Sequence, residues 1–186
     1  VLSRLGDTYP DCYRFLVEPV DEDADDGPVP GFFGATPERL VRLHGRTVST
    51  GALAGTTGRG DAPAEDEWLA RELMDDAKNV HEHELVAEAV RDQLAPFATG
   101  VQTGTRRVRR LATVQHLFTP ISATLDGDAH VLDLVEALHP TPAVGGLPPE
   151  RALETIRDSE PFDRGWYAAP VGWFDAAGNG EFAVAI

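Results

Sequence analysis

The sequence predicts an α+β domain with mainly antiparallel sheet. Hairpin signatures recur along the chain, strand-period and helix-period segments mix without a regular βαβ alternation, and no internal repeat is visible. In chain order, "CYRFLV" (Cys12 to Val17) is rich in strand formers, and residues 20–31 read as an acidic flexible loop. "GFFGATPERLVRLHGRTVST" reads as a strand, a Thr-Pro corner, and a hairpin turning at His44-Gly45, because "RLVRL" and "RTVST" alternate on either side. After the glycine-rich "GALAGTTGRGDAP", the spacing predicts one long helix from Ala64 to about Leu94, closed by Pro96. "VRRLATVQHLFTPISATL" is β-branched and strand-like. "HVLDLVEALHP" and "PPERALETIRD" are short helices flanking "TPAVGGLP", and "YAAPVGWFDAAGNGEFAVAI" closes as a hairpin around a Gly-Asn-Gly turn region.

A chain of 186 residues with 42% hydrophobic content can bury a real core and fits one domain or a large piece of one. No apolar run approaches the ~18 residues of a membrane span, and a single cysteine, Cys12, excludes an internal disulfide framework. With no secretory signal pattern, a cytoplasmic protein is expected. The 31 acidic against 16 basic residues, net charge -15, argue against nucleic acid as a partner. Fifteen of those basic residues are arginine and one is Lys78. Acids spread over the whole chain with lysine avoided throughout point to a salt-loving microbe rather than to a patch for a cationic partner. The cluster "RRVRR", Arg106 to Arg110, reads as a solvated strand edge or loop rather than a phosphate site. The chain opens without methionine inside "VLSRLGDTYP" and stops inside the alternating "GEFAVAI", so it is expected to be part of a larger domain.

On the expected long helix, Leu69, Leu73, Ala77, Val80, Ala87 and Leu94 share one stripe at ~100° per residue. In "HEHELV", His83 lies near that stripe and His81 some ~200° away from it, so the two imidazoles cannot share a metal as an i, i+4 pair does. Glu82 points away from the stripe, one turn after Lys78 and beside Leu85 and Val86. It is either half of an i, i+4 ion pair or a hard-oxygen ligand suited to Mg²⁺ at the edge of a second buried surface.

Six blocks in order, "FFGATPERL", "STGALAGTTGRG", "AKNVHEHELV", "TVQHLFTPI", "ALHPTPAVGGLP" and "EPFDRGWYAAPVGWFDAAGNGEFAVAI", resemble the chorismate-utilising enzymes. The forms "HPTPAVGG" and "HEHELV" are those of its isochorismate synthases. "LVAEAVRDQ" lacks the Asp-Leu-x-Arg-Asn-Asp that anthranilate-type members carry. The resemblance implies an α/β sandwich with large antiparallel sheets, of which residues 1–186 are a partial chorismate-binding catalytic domain. It implies a Mg²⁺-dependent enzyme that adds water at C2 of chorismate and loses the C4 hydroxyl, for menaquinone or siderophore synthesis, with no obligate protein partner. A salicylate synthase is the alternative within the family, and a non-catalytic anion-binding relative the alternative outside enzymes.

By that resemblance, Glu38 matches the general acid, although alone it would pass for a solvent-facing residue after a Thr-Pro turn. Glu82 matches one of two Mg²⁺-ligating glutamates. Gly55 and Thr56 match a loop that contacts the substrate carboxylate, where a backbone contact tolerates no Cβ. His139 matches a pocket histidine and Tyr167 an aromatic on the pocket wall; otherwise they would be a helix-end histidine and a core tyrosine. The family's water-activating lysine and second metal ligand are expected outside residues 1–186, so Lys78 is not the base. The 186-residue chain alone is expected to bind Mg²⁺ poorly and to turn over little chorismate.

Overall fold

The computed structural model describes residues 1–19 and 31–186; the stretch read as an acidic flexible loop lies, apart from Gly31, outside the described residues. A short helix α1 (Leu2–Thr8) leads into β1 (Tyr13–Val17), which pairs with β2 (Phe32–Thr36) as a separate antiparallel ribbon. Seven strands form the main sheet: β3 (Arg39–His44), β4 (Thr47–Gly58), β5 (Ala98–Thr103), β6 (Arg107–Arg110), β7 (Val114–Leu125), β8 (Pro170–Phe174) and β9 (Gly180–Val184). Their order is β5-β7-β4-β3-β9-β8, with β6 on the edge of β7 that β5 also uses. All described pairings are antiparallel, as the α+β expectation required.

The reason β7 is a strand is visible in its burial. Gln115, Leu117, Thr119, Ile121, Ala123 and Leu125 face inward at every second position, the period of a pleated strand. Helices α2 (Pro63–Asp75), α3 (Ala77–Leu94), α4 (Val131–Leu138), the single turn α5 (Pro142–Gly145) and α6 (Pro149–Ser159) complete the chain. The core forms where α3 and α4 pack on the sheet: Val86, Val90, Leu94, Leu134 and Leu138 meet Val41, Val48, Ala52, Ile121 and Leu125. Leu94 is fully buried there. Its replacement by alanine is expected to cost about 2–5 kcal/mol through lost transfer energy and the cavity left behind, measured as a fall in the denaturation midpoint.

Three expectations need correction. The expected single helix is two. Asp76 adopts an extended backbone (φ -68°, ψ 112°), ends α2, and accepts the Asn79 N–H at 2.8 Å as the cap of α3. The apolar stripe is therefore interrupted: Leu73 and Leu94 are buried as expected, Ala77 is exposed at the break, and the inner face of α3 is His83, Val86, Val90 and Leu94. The hairpin turns at Gly45-Arg46 rather than His44-Gly45, because His44 pairs with Thr47. Gly45, at φ 56°, supplies the positive φ that the first position of a tight hairpin turn needs. Finally, the loop implied at Gly55 and Thr56 is strand: β4 runs on to Gly58, and of the glycine-rich stretch only residues 59–62 lie between it and α2. Helix α1 and strand β5 had no counterpart in the sequence reading.

Candidate active site

Glu38 stands at the corner between β2 and β3. Its own N–H donates to Thr36 Oγ1 at 3.2 Å, and its carbonyl accepts the Val184 N–H of β9 at 3.0 Å. The backbone is held from both sides and the side chain is turned inward, with only 6% of the residue exposed. Burial pushes the carboxyl from 4.5 up to about 7, while a long hydrogen bond donated by Thr141 Oγ1 (3.4 Å) pulls slightly the other way. Burial thus favours the protonated form of this group to far higher pH than for an exposed glutamate.

A bulge in β4 shapes the neighbouring wall. The register with β7 shifts between Ala54 and Thr56, leaving Gly55 at φ 77°. A Cβ there would lie 3.2 Å from Leu117 Cδ1 and 3.3 Å from Asn79 Cβ. Gly55→Val, with a branched side chain in the left-handed region, is expected to cost about 1–3 kcal/mol, read as a lowered denaturation midpoint. Past the bulge, Thr56 Oγ1 lies 2.9 Å from His116 Nδ1. Burial depresses the His116 pKa, a Gly55 backbone hydrogen bond opposes this, and the Arg109 charge adds to the depression.

Glu38, Gly55, Thr56, Glu82, His116 and Tyr167 line one cavity of about 820 Å³, walled also by Leu85 and Val86 of α3 and by Pro142 to Val144. Glu82 enters from α3 with its side chain half exposed, its Oε1 3.5 Å from Lys78 Nζ; the ion pair and the cavity position thus coexist. His81 is exposed, whereas His83 is buried, its Nδ1 3.2 Å from the Ala54 carbonyl and its Nε2 2.7 Å from Thr119 Oγ1. That pair of partners suits a neutral ring with the proton on Nδ1, and burial lowers its pKa accordingly. Tyr167 is no core residue: it is 47% exposed, on a turn before β8.

His139 is the one proposed site residue that does not line this cavity. It ends α4, and its Nε2 lies 2.8 Å from the carbonyl of Ala168, the neighbour of Tyr167. His116, by contrast, had been assigned no role. It stands within "TVQHLFTPI", but only pairing with Thr56, 60 residues away, brings it to the cavity.

For a metal, the cavity offers two carboxylates, Glu38 and Glu82, and of these the half-exposed Glu82 is the one that could hold a cation. Among the described residues no three His, Cys, Asp or Glu converge on a common point. One carboxylate fits Mg²⁺, which keeps several waters and takes one or two carboxylates together with substrate oxygens.

Fold and site together define a class: an α+β domain whose antiparallel sheet and flanking helix enclose a cavity holding a buried carboxylic acid and a half-exposed carboxylate. The chain belongs to the chorismate binding enzyme family, whose model matches residues 1–186. It is 53% identical over 156 residues to the salicylate biosynthesis isochorismate synthase of Pseudomonas aeruginosa, covering 83% of this chain and 33% of that protein. It is 43% identical over 187 residues to the isochorismate synthase MenF of Bacillus subtilis, covering 100% and 38%. The solved structure of MenF, the menaquinone-specific isochorismate synthase of Escherichia coli, superposes with a TM-score of 0.86 at 33% identity over 99% of this chain and 41% of that one. The chain thus spans well under half the length of these relatives. Among the described residues no helix is long and apolar enough to cross a membrane.

Proposed function

We propose that the protein carrying this chain is an isochorismate synthase, converting chorismate to isochorismate by water addition at C2 and departure of the C4 hydroxyl. The observation that carries this is Glu38, a buried acid in the cavity whose pKa is raised to about 7. Hydroxide is a poor leaving group at neutral pH, and a positioned acid that still holds its proton lets the oxygen depart as water. The names of the relatives, which include salicylate biosynthesis and menaquinone-specific isochorismate synthases, support the same chemistry and either pathway.

In this proposal Gly55 and Thr56 receive a substrate carboxylate at the bulge, and Tyr167 forms part of the cavity wall. His139 acts from behind, holding Ala168 and with it the turn that carries Tyr167. Glu82 is one Mg²⁺ ligand; the ion, when bound, withdraws charge from the substrate carboxylate and the conjugated ring. A cytoplasmic enzyme of a salt-rich cell, with chorismate as its only required partner besides Mg²⁺, completes the proposal. The test is to incubate the protein at full natural length with chorismate and Mg²⁺ and to identify the product. Isochorismate supports the assignment, accumulation of salicylate moves it to salicylate synthase, and unconsumed chorismate leaves a non-catalytic relative.

A further inference from the structure

The arginine cluster "RRVRR" does more than decorate a strand edge. Arg106 pairs with Glu84 of α3 (3.0 Å), and Arg110 with Glu67 (2.6 Å) and Asp66 (3.3 Å) of α2. Arg109 alone among these three is directed at backbone: Nη1 donates to the Pro37 carbonyl at 3.0 Å and Nη2 to the Asp11 carbonyl at 3.1 Å. Its place is set by the ladder, where Arg109 stands opposite His116, and its guanidinium lies 5.7 Å from the Phe118 ring centre.

We infer that Arg109 is a positioning residue for Glu38, fixing the peptide plane between Pro37 and Glu38 and so directing the acid into the cavity; this rests on Glu38 being the proton donor. The Pro37 carbonyl and the Glu38 N–H belong to one rigid peptide group. Arg109 holds the carbonyl end, and Thr36 Oγ1 holds the N–H end. The next peptide plane is held by the Val184 N–H on the Glu38 carbonyl. With both planes fixed, the direction of the Glu38 Cα–Cβ bond follows, and Thr141 Oγ1 meets the carboxyl at its far end. The second prong reaches Asp11, next to Cys12 on the cavity wall, so one guanidinium ties two cavity segments to β6. What it contributes is direction, since burial and Thr141, not the Arg109 charge, govern the proton affinity of Glu38. A lysine carries the charge but lacks the planar fork that spans two carbonyls.

The experiment measures steady-state turnover of chorismate by the full-length protein across pH, in Arg109→Ala, Arg109→Lys, Glu38→Gln and the double variant Glu38→Gln/Arg109→Ala. A displaced acid is expected to lower kcat about 10- to 100-fold, with KM changed less than about threefold and Arg109→Lys restoring activity only in part. In the Glu38→Gln background, removing Arg109 is expected to cost nothing further, because it acts through the residue already lost. Arg107→Ala, which removes only a cation stacked on Phe118, serves as the control with unchanged turnover. If Arg109→Ala is poorly folded by its melting profile, Arg109→Lys takes its place in the double variant. An unchanged kcat in Arg109→Ala, or an Arg109 loss that appears in full on top of Glu38→Gln, overturns the inference. Normal turnover by Glu38→Gln itself would instead remove the proton-donor assignment, a separate failure.

Discussion

Glu38→Gln in the full-length protein is expected to lower kcat for chorismate conversion by about 10²–10⁴-fold, the range contributed by a positioned general acid. Glutamine keeps the shape and can still accept from Thr141, but has no proton of comparable acidity to give. The same change is expected to stabilise the fold. A carboxyl whose pKa rises from 4.5 to about 7 on folding binds its proton more tightly in the native state. Its favourable contribution is complete below pH 4.5 and is lost as pH rises through 7, a swing of ~3 kcal/mol. Above pH 7 the wild type carries a buried charge that the glutamine variant lacks, so the variant should unfold at higher denaturant at pH 8 and show little difference at pH 4.5. An acid kept at the expense of stability marks a functional site. A variant that turns over normally, or gains no stability at pH 8, would be inconsistent with a buried proton donor.

Glu82→Gln is expected to weaken Mg²⁺ by at least the roughly 10- to 100-fold that outer-shell changes around metals cost. The Mg²⁺ concentration for half-maximal turnover should rise accordingly, and titration calorimetry should give the same ratio. Stability should barely move. The partner it loses, Lys78 at 3.5 Å, is an exposed i, i+4 pair worth a few tenths of a kcal/mol. Loss of metal with an unchanged denaturation midpoint separates a ligand from an ordinary helix-surface glutamate. An unaltered Mg²⁺ requirement would return Glu82 to the surface role.

What was legible in the sequence was periodic. Alternation exposed β3, the first half of β4 and β9, strand-forming residues exposed β1 and β7, and the Gly-Asn-Gly turn region placed β8 against β9. Glu82, His81 and His83 were separated correctly by helical geometry alone. The break at Asp76 was hidden because α2 and α3 both carry helical spacing, and an aspartate three residues before Asn79 is a local cap that periodicity does not register. The second half of β4 was missed for the opposite reason: Gly55 at φ 77° is a bulge that keeps the strand going where glycine usually signals a loop. β5 is short, mostly exposed and interrupted by Gly100, and α1 buries no residue, so neither carries an apolar pattern. At the site, the depth of Glu38 and the approach of His116 to Thr56 arise from pairings between distant strands. No local pattern encodes them.

The most direct measurement is the protonation state of Glu38 itself, followed by infrared difference spectroscopy of the carboxylic acid C=O stretch in the full-length protein. A band present at pH 6, lost with a midpoint near 7 and absent from Glu38→Gln is the predicted result. A Glu38 carboxyl that titrates near 4.5, as an exposed glutamate does, would contradict the account.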